Sequence, residues 1–187
     1  MDRFWMVDPL DGTKEFIKRG GDFTVNIALV ENNTPVTGVV YAPVLQQLYY
    51  GDPGGGAFIC NQATIADTPE SIARKAMKIP LFFPGNAIRI VASKSHLNEA
   101  TEAFIENLDK EADRPVETVS IGSSLKLCLV AEGKADIYPR FGPTMEWDTA
   151  AGHAVVKAAG KSVLQADNQK ELRYNKENLL NPFFIVK

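Results

Sequence analysis

The pattern of apolar and polar residues changes near residue 88, which divides the chain into two parts. Residues 23–30 (FTVNIALV) and 35–44 (PVTGVVYAPV) are rich in β-branched residues, and a turn-forming Glu-Asn-Asn-Thr stretch separates them. They predict an antiparallel pair of strands, and two shorter runs, QLYYG and GAFI, predict a further pair around the turn GDPGGG. Because this glycine-rich turn lacks the Lys-Ser/Thr ending of a phosphate-binding loop, we interpret it as a hairpin.

From IRIVASKS onward, the pattern changes to strands that alternate with helices. The segment LNEATEAFIENLDKE repeats its apolar residues with a period of 3.6 and so predicts an amphipathic helix. The residues on its apolar face are Leu97, Ala100, Ala103, Phe104 and Leu108. The segments SSLKLCLVAEG and DTAAGHAVVKAAG predict two more helices. Each begins with a capping residue and ends at a glycine, Gly133 or Gly160, suited to the left-handed conformation.

The order of these elements predicts one domain, residues 1–187, of the α+β or α/β class with mixed sheets. Residues 1–65 would carry the antiparallel sheet, and residues 88–187 would form a second half in which strands and helices alternate. Between them, residues 66–87 contain three prolines, and we expect an irregular surface arm. A length of 187 residues is sufficient for such a domain to bury a substantial core.

Composition and charge narrow the classes of function. A hydrophobic content of 45% with 23% charged residues is typical of a soluble globular protein, and a net charge of −3 gives no reason to expect binding to a nucleic-acid polymer. No apolar stretch in the sequence is long enough to span a membrane, and we expect no signal peptide. We therefore expect a cytoplasmic protein, with peripheral association with the inner membrane left open. We expect Cys128 to be a buried reduced thiol, and with Cys60 the only other cysteine we expect no zinc site.

The stretch WMVDPLDGTKEF places two aspartates directly after an apolar run and before a helix start. Asp8 and Asp11 flank Pro9 in a predicted tight turn, after which Asp11, Gly12 or Thr13 would cap the helix TKEFIKR. The first N–H groups of that helix can bind phosphate oxygens, whereas two carboxylates repel an anion and each other. A divalent cation between them removes both problems, and hard oxygen ligands favour Mg²⁺. The alternative is a turn with an N-cap aspartate and no metal.

A second acidic position strengthens the metal hypothesis. In EWDTAAGHAV, Asp148 is predicted to be the N-cap of a helix. The first turns of that helix, with Ala150, Ala151 and Gly152, permit close approach of a neighbouring backbone. The carboxylate of Asp148 would be a third oxygen donor to the same cation, beside the main-chain carbonyl of Leu10. The alternative is that Asp148 caps its helix and has no further role.

Two basic residues are candidates for binding a second phosphate. Lys126 lies in the first turn of the helix that Ser123 or Ser124 would cap, where a positive charge opposes the helix dipole unless an anion is nearby. Arg140, in the short loop PRFGPT, is an isolated cation beside an apolar segment. The alternative is a pair of solvated surface charges.

These segments together resemble a known family. WMVDPLDGTKEFI and WDTAAGHAVVKAAG resemble the two metal-binding motifs of the inositol monophosphatase superfamily. More narrowly, DPLDGTKEFIKRGGDFTVNIALV, GVVYAPV, SIGSSLKLCLVAEGKADIYPRFGPTMEWDTAAGHA and LLNPFFIV resemble the CysQ-type 3′(2′),5′-bisphosphate nucleotidases. The resemblance covers nearly the whole chain except the arm at 66–87.

The resemblance implies a fold, a reaction and a cofactor. The fold is a layered αβαβα sandwich, and the cofactor is Mg²⁺. The reaction is hydrolysis of the 3′-phosphate of adenosine 3′,5′-bisphosphate to AMP and phosphate, in sulfur metabolism and nucleotide recycling. The sulfated nucleotide PAPS is a candidate second substrate, and sensitivity to lithium is also implied.

Site residues follow from the same resemblance, position by position. The metal ligands are Asp8, Leu10 through its carbonyl, Asp11 and Asp148. Asp11 and Thr13 are the catalytic residues, with the Thr13 hydroxyl orienting the attacking water. The implied substrate-binding residues are Leu10, Asp11, Gly12, Thr13, Lys14, Ser123, Ser124, Lys126, Arg140 and Asp148. His96 is a weaker candidate for a place near the base, the alternative being a surface histidine at a helix start.

The chain departs from the family's pattern at its start. Relatives begin earlier, and the resemblance implies that their additional segment supplies a glutamate that bridges the metals and an aspartate that polarises the water. We therefore expect this chain, lacking that N-terminal helical part, to bind Mg²⁺ weakly, to turn over slowly, and to expose an apolar sheet face through which copies associate. A non-catalytic remnant and an inositol or sugar monophosphatase are the alternative functions.

Overall fold

The computed structural model describes residues 2–92 and 98–187. Its first half is a six-stranded antiparallel sheet in which each strand pairs with the next one along the chain. The strands are β1 (Arg3–Asp11), β2 (Thr24–Glu31), β3 (Thr34–Ala42), β4 (Gln47–Asp52), β5 (Gly56–Asn61) and β6 (Met77–Ile79). The turn GDPGGG joins β4 to β5, which confirms the predicted hairpin.

The second half mixes strands and helices, as predicted. The helices of the protein are α1 (Thr13–Ile17), α2 (Pro69–Lys75), α3 (Glu99–Glu111), α4 (Leu125–Glu132) and α5 (Glu146–Ala158). The remaining strands are β7 (Ile88–Ala92), β8 (Val116–Ser120), β9 (Tyr138–Arg140), β10 (Val163–Gln165) and β11 (Phe184–Val186). Strands β7 and β8 are parallel, whereas β9, β11 and β10 pair antiparallel. The layered α/β class is therefore confirmed.

Helix α5 lies across the inner face of the six-stranded sheet because small residues allow a close approach. A Cβ atom at Gly38 of β3 would lie 2.2 Å from the carbonyl oxygen of Ala151 and 2.8 Å from the Cβ of Ala154. Helix α4 packs beside α5, where a Cβ at Gly152 would lie 2.9 Å from the Cβ of Leu127. This confirms the close backbone approach predicted from the small residues of α5.

The opposite, outer face of the sheet carries exposed apolar side chains. Trp5 and Val7 of β1 are 64% and 50% exposed, and Ile27, the cross-strand partner of Val7, lies on the same face. A groove of about 430 Å³ between this face and α2 is also mostly apolar, with Leu48 and Tyr50 among its lining residues. The expected exposed apolar surface is thus present, while self-association stays a prediction.

Two parts of the sequence prediction need correction. The arm at 66–87 contains α2 and β6, because Thr68 caps α2 by accepting a hydrogen bond from the Ser71 N–H (3.3 Å) and β6 extends the sheet. In α3, the packed face is rotated from the predicted one, since Ala100 and Ala103 are exposed and Thr101 is buried. The ring of Phe104 packs on that of Phe141 at 5.6 Å, and Leu97 lies outside the described residues.

Other predictions hold. Gly133 ends α4 and Gly160 follows α5, both with a positive φ, 89° and 78°. Cys60 and Cys128 are buried free thiols. Across residues 2–92 and 98–187, no helix combines the length and apolar character that crossing a membrane requires.

Candidate active site

The end of β1 brings two carboxylates to one face through a β-bulge. Asp8 pairs with Asn26 and Asp11 pairs with Thr24, so three steps along β1 match two along β2. In a regular strand, residues three apart point to opposite faces, and the extra residue turns both carboxylates to the same side. The predicted tight turn is therefore wrong: pairing with β2 continues the strand through Pro9, where a missing N–H is tolerated beside a bulge.

Helix α1 starts at Thr13, directly after the bulge. Its N-cap is Gly12, with φ 86° and no side-chain cap, which decides among the three predicted capping residues. Glycine suits this position because left-handed backbone disfavours a side chain and because a Cβ would lie 3.1 Å from the Asp22 carbonyl oxygen. The Thr13 hydroxyl donates to the Leu10 carbonyl oxygen (3.4 Å), which ties the first residue of α1 to the end of β1.

Asp148 approaches the same place from α5. It is the third residue of that helix, and its Oδ2 accepts a hydrogen bond from the N–H of Met145, the N-cap (2.8 Å). The predicted N-cap role for Asp148 is therefore wrong, because α5 begins earlier, with the Glu146 N–H donating to the Leu179 carbonyl (2.9 Å). Carboxylate oxygens of Asp8, Asp11 and Asp148 all lie within 4.8 Å of one another.

These carboxylates repel one another and are partly desolvated. Burial raises the pKa of Asp11 to about 6, with the Asp148 and Asp8 charges adding to the rise and the Ser124 N–H and Lys126 opposing it. Burial is also the main cause of the raised pKa of Asp8 and of Asp148. A divalent cation would relieve this repulsion, and three hard oxygen donors suit Mg²⁺. The residues present therefore fit such an ion.

The positive side of the site is formed by two basic residues. Lys126 is only 8% exposed, and its Nζ donates to the Ser123 carbonyl oxygen (3.1 Å). Burial, then the Arg140 charge, lowers the pKa of Lys126 to about 8, although Asp11 is among the groups that raise it. Arg140 donates from Nη2 to the Pro143 carbonyl oxygen (2.8 Å), and its buried Nε has no hydrogen-bond partner within the described part of the chain. The alternative of two solvated charges is wrong for Lys126.

The two predicted serines have different surroundings. Ser123 has φ 48° and lines the cavity beside Lys126. Ser124 is the N-cap of α4, but its hydroxyl makes no cap hydrogen bond. Instead, the Ser124 hydroxyl is buried against Thr24 and Asn26, and its N–H donates to Asp11 Oδ2 (2.5 Å). The structure thus directs the Ser124 hydroxyl toward the protein interior.

Two adjoining cavities meet at the basic residues. The first, of about 190 Å³, is lined by residues that include Asp11, Gly12, Ser123 and Asp148. The second, of about 400 Å³, is lined by residues that include Lys14. The residues that line both are Lys126, Tyr138 and Arg140. This arrangement offers space for a ligand with two charged groups.

Sequence reasoning missed several residues of these cavities. The missed residues include Glu15, Asn98, Thr101, Tyr138, Thr144 and Thr149. Glu15, Tyr138 and Thr149 could have been found, since each lies within two residues of a predicted site residue. Thr144 lies just before α5, whose true beginning the sequence did not indicate. His96, the predicted residue near the base, lies outside the described residues.

Sequence comparisons show which known proteins this chain is similar to. The sequence profile described as "Inositol monophosphatase family" matches residues 1–182. The 3′(2′),5′-bisphosphate nucleotidase CysQ of Salmonella typhimurium is 49% identical over 185 residues, which cover 98% of this chain and 68% of that protein. The CysQ of Escherichia coli K12 is 47% identical over the same shares.

Solved structures agree with the sequence comparisons. The crystal structure of CysQ from Bacteroides thetaiotaomicron, a bacterial member of the inositol monophosphatase family, superimposes with a TM-score of 0.93 and 54% identity. That match covers 100% of this chain and 70% of the other. An IMPase of Thermotoga maritima matches with a TM-score of 0.69 and 28% identity, over 100% of this chain and 64% of the other. The chain belongs to the inositol monophosphatase family.

Proposed function

We propose that the protein is a metal-dependent phosphatase that removes the 3′-phosphate of adenosine 3′,5′-bisphosphate and releases AMP and phosphate. The observation that carries the proposal is the meeting of three carboxylates from two separate elements within 4.8 Å, beside a buried lysine and an arginine. The 47–49% identity to proteins named 3′(2′),5′-bisphosphate nucleotidase supports this substrate class. PAPS is the second substrate in the proposal, and sulfur metabolism and nucleotide recycling its setting.

The proposed cofactor is Mg²⁺, held by Asp8, Asp11, Asp148 and the main-chain carbonyl of Leu10. When bound, such an ion lowers the pKa of a water molecule and neutralises charge that develops on the leaving oxygen. The role of the carboxylates in the reaction would be to fix the position of the ion. With a pKa raised to about 6, the Asp11 carboxylate is ionised at neutral pH.

The other site residues bind and orient the substrate. The N–H groups of Gly12 and Thr13 would donate to oxygens of the scissile phosphate, and the Thr13 hydroxyl would orient the attacking water. Lys126 and Arg140, at the junction of the two cavities, would hold the second phosphate. Lys14 and Ser123 line the cavities on either side of that junction.

A substrate panel tests this proposal. Phosphate release from adenosine 3′,5′-bisphosphate, 3′-AMP, PAPS and inositol 1-phosphate is measured with and without Mg²⁺. We expect release that needs Mg²⁺, is inhibited by lithium, and is fastest with the bisphosphate. Lys126→Met should slow the bisphosphate more than 3′-AMP, because only the bisphosphate has the second phosphate that Lys126 would bind.

Two other functions predict different results in the same panel. A sugar monophosphatase, favoured by the match to the Thermotoga maritima IMPase, would prefer inositol 1-phosphate and be indifferent to Lys126→Met. A non-catalytic nucleotide-binding chain would release no phosphate from any compound.

We also propose that copies of the chain associate through the exposed outer face of the sheet. We further propose that the enzyme acts in the cytoplasm, which cell fractionation would test.

A further inference from the structure

Three buried polar side chains form a line of hydrogen bonds behind the Asp11 carboxylate. Ser124 Oγ lies 2.8 Å from Thr24 Oγ1 and 2.8 Å from Asn26 Oδ1, and all three residues are at most 2% exposed. Thr24 and Asn26 are alternate residues of β2 and point to the same inner face, whereas Ser124 begins α4, about a hundred positions later in the chain. We name these three residues the hydroxyl anchor.

The direction of each hydrogen bond in the hydroxyl anchor follows from its atoms. Asn26 Oδ1 can only accept, so the Ser124 hydroxyl donates its single hydrogen there. The Thr24 hydroxyl must then donate to Ser124 Oγ. The Thr24 hydroxyl also lies 3.4 Å from Asp11 Oδ2, a longer and weaker contact. The shorter contact to Asp11 Oδ2 is that of the Ser124 N–H, at 2.5 Å.

The hydroxyl anchor joins both sides of the active site. In the strand ladder, Thr24 is the partner of Asp11, and Asn26 is the partner of Asp8. On the other side, Ser124 precedes Lys126 by two residues in the first turn of α4. The spacing between the acidic and the basic parts of the site therefore depends on contacts that a substrate does not touch.

We propose that Thr24, Asn26 and Ser124 are positioning residues, which hold the first turn of α4 at the distance from β2 where the Ser124 N–H meets Asp11 Oδ2. The role differs from the substrate contact that the family resemblance implies for Ser124. It rests on the proposed function only in that Asp8, Asp11 and Asp148 bind a divalent cation. Groups that orient metal ligands commonly change metal affinity about 10–100-fold when they are removed.

The test measures Mn²⁺ binding to the full chain by water-proton relaxation, without substrate. Thr24→Val removes the donor of the hydroxyl anchor and keeps nearly the same shape, while Thr24→Ser keeps the donor. We expect Thr24→Val and Ser124→Ala each to weaken Mn²⁺ binding by about tenfold, and Thr24→Ser to stay within about twofold of the wild type. Tyr49→Phe removes a buried hydrogen bond to Glu132 (2.9 Å) at the opposite end of α4 from Ser124, and so controls for general loss of stability.

Each result decides a different point. Wild-type Mn²⁺ affinity in either Thr24→Val or Ser124→Ala, folded by circular dichroism, would overturn the hydroxyl anchor and leave the proposed function intact. Equal weakening in Tyr49→Phe would overturn it as well. An increased substrate KM in Ser124→Ala with unchanged Mn²⁺ binding would show instead that the hydroxyl contacts substrate. No Mn²⁺ binding by the wild type would overturn the metal site itself, and with it both proposals.

Discussion

Strands β1 and β2 present two faces in which burial and polarity are reversed. On the inner face, the polar residues Thr24 and Asn26 are buried, and on the outer face the apolar residues Trp5, Val7 and Ile27 are exposed. Burying an unpaired polar group costs free energy, and exposing an apolar one gives up a stabilising contribution. The Thr24 hydroxyl and the Asn26 Oδ1 recover part of this cost through hydrogen bonds to Ser124, whereas the buried Asn26 Nδ2 has no hydrogen-bond partner within the described residues. Beside the site, hydrogen bonding to Ser124 rather than hydrophobicity accounts for what is buried on β2, whereas Ala28 and Val30, further along its inner face, are buried apolar residues.

The largest effect should come from the inner carboxylates. Asp148→Asn should lower Mg²⁺-dependent phosphate release by more than about 100-fold, since even residues that only orient ligands cost about 10–100-fold. Without metal, the free energy of unfolding of Asp148→Asn should equal or exceed that of the wild type. The neutral amide relieves the repulsion with Asp11, and its oxygen can still accept the hydrogen bond from the Met145 N–H. Phosphate-release assays and urea titrations measure the two effects.

The control for this variant is Asp109→Asn, an equivalent change on the exposed surface of α3. It should alter neither quantity. If Asp148→Asn kept its Mg²⁺-dependent activity, the inner face would differ from the outer one in burial alone.

The next largest effect should be the change in stability of the metal-free protein with pH. The pKa of Asp11 is raised from 3.8 to about 6, so the folded protein keeps a proton that the unfolded chain releases. The stabilisation is complete below about pH 4 and is lost as the pH rises through 6, a change on the order of 3 kcal/mol. The raised pKa values of Asp8 and Asp148 act in the same direction.

Urea unfolding between pH 4 and pH 7 measures this change. Asp11→Asn should flatten the dependence, and saturating Mg²⁺ should reduce it by taking the place of the proton. Stability that rose over this range in the metal-free protein would contradict the assigned direction.

The smallest effect should come from the outer face. Trp5→Ser should change the free energy of unfolding by about 0.5 kcal/mol or less, because the side chain is already 64% exposed. The same change should reduce self-association measured by light scattering. Ile65→Ser, at a residue 98% exposed in the loop between β5 and α2, is the matched control. If the wild-type protein stayed monomeric at every concentration, this would contradict the proposed self-association.

Regular features of this fold could be predicted from local sequence, whereas the details of the site could not. Alternation by two gave β2 and β3, and the glycines Gly133 and Gly160 marked helix ends correctly. The bulge at Asp8–Asp11 depends on the register with β2, and the early start of α5 depends on residues far along the chain. There, Glu146 accepts hydrogen bonds from Asn175 N–H (2.7 Å) and Lys176, and Asn181 donates to the Met145 carbonyl (2.9 Å). Such long-range contacts have no local signature.

Other errors were avoidable. In α2, a threonine cap followed by Pro69 at the first helical position is a recognised start signal within the stretch interpreted as an irregular arm. The grouping of Asp8, Asp11 and Asp148 was predicted from the repulsion between carboxylates, which a shared cation would offset, together with the resemblance to the family's metal-binding motifs. The predicted backbone settings of all three residues were wrong, because the chemistry indicates that the carboxylates meet but does not specify the backbone conformation that brings them together.

The contact between Gly38 and Ala151 has a consequence for how this protein can vary. Ala151 lies one helical turn after Asp148, and the 2.2 Å between its carbonyl oxygen and a Cβ at position 38 leaves no room for one more carbon. A single methyl group in the middle of β3 would therefore raise α5 from the sheet and carry Asp148 with it. Position 38 carries no functional group, yet the absence of its side chain sets how closely α5, and with it Asp148, approaches the sheet.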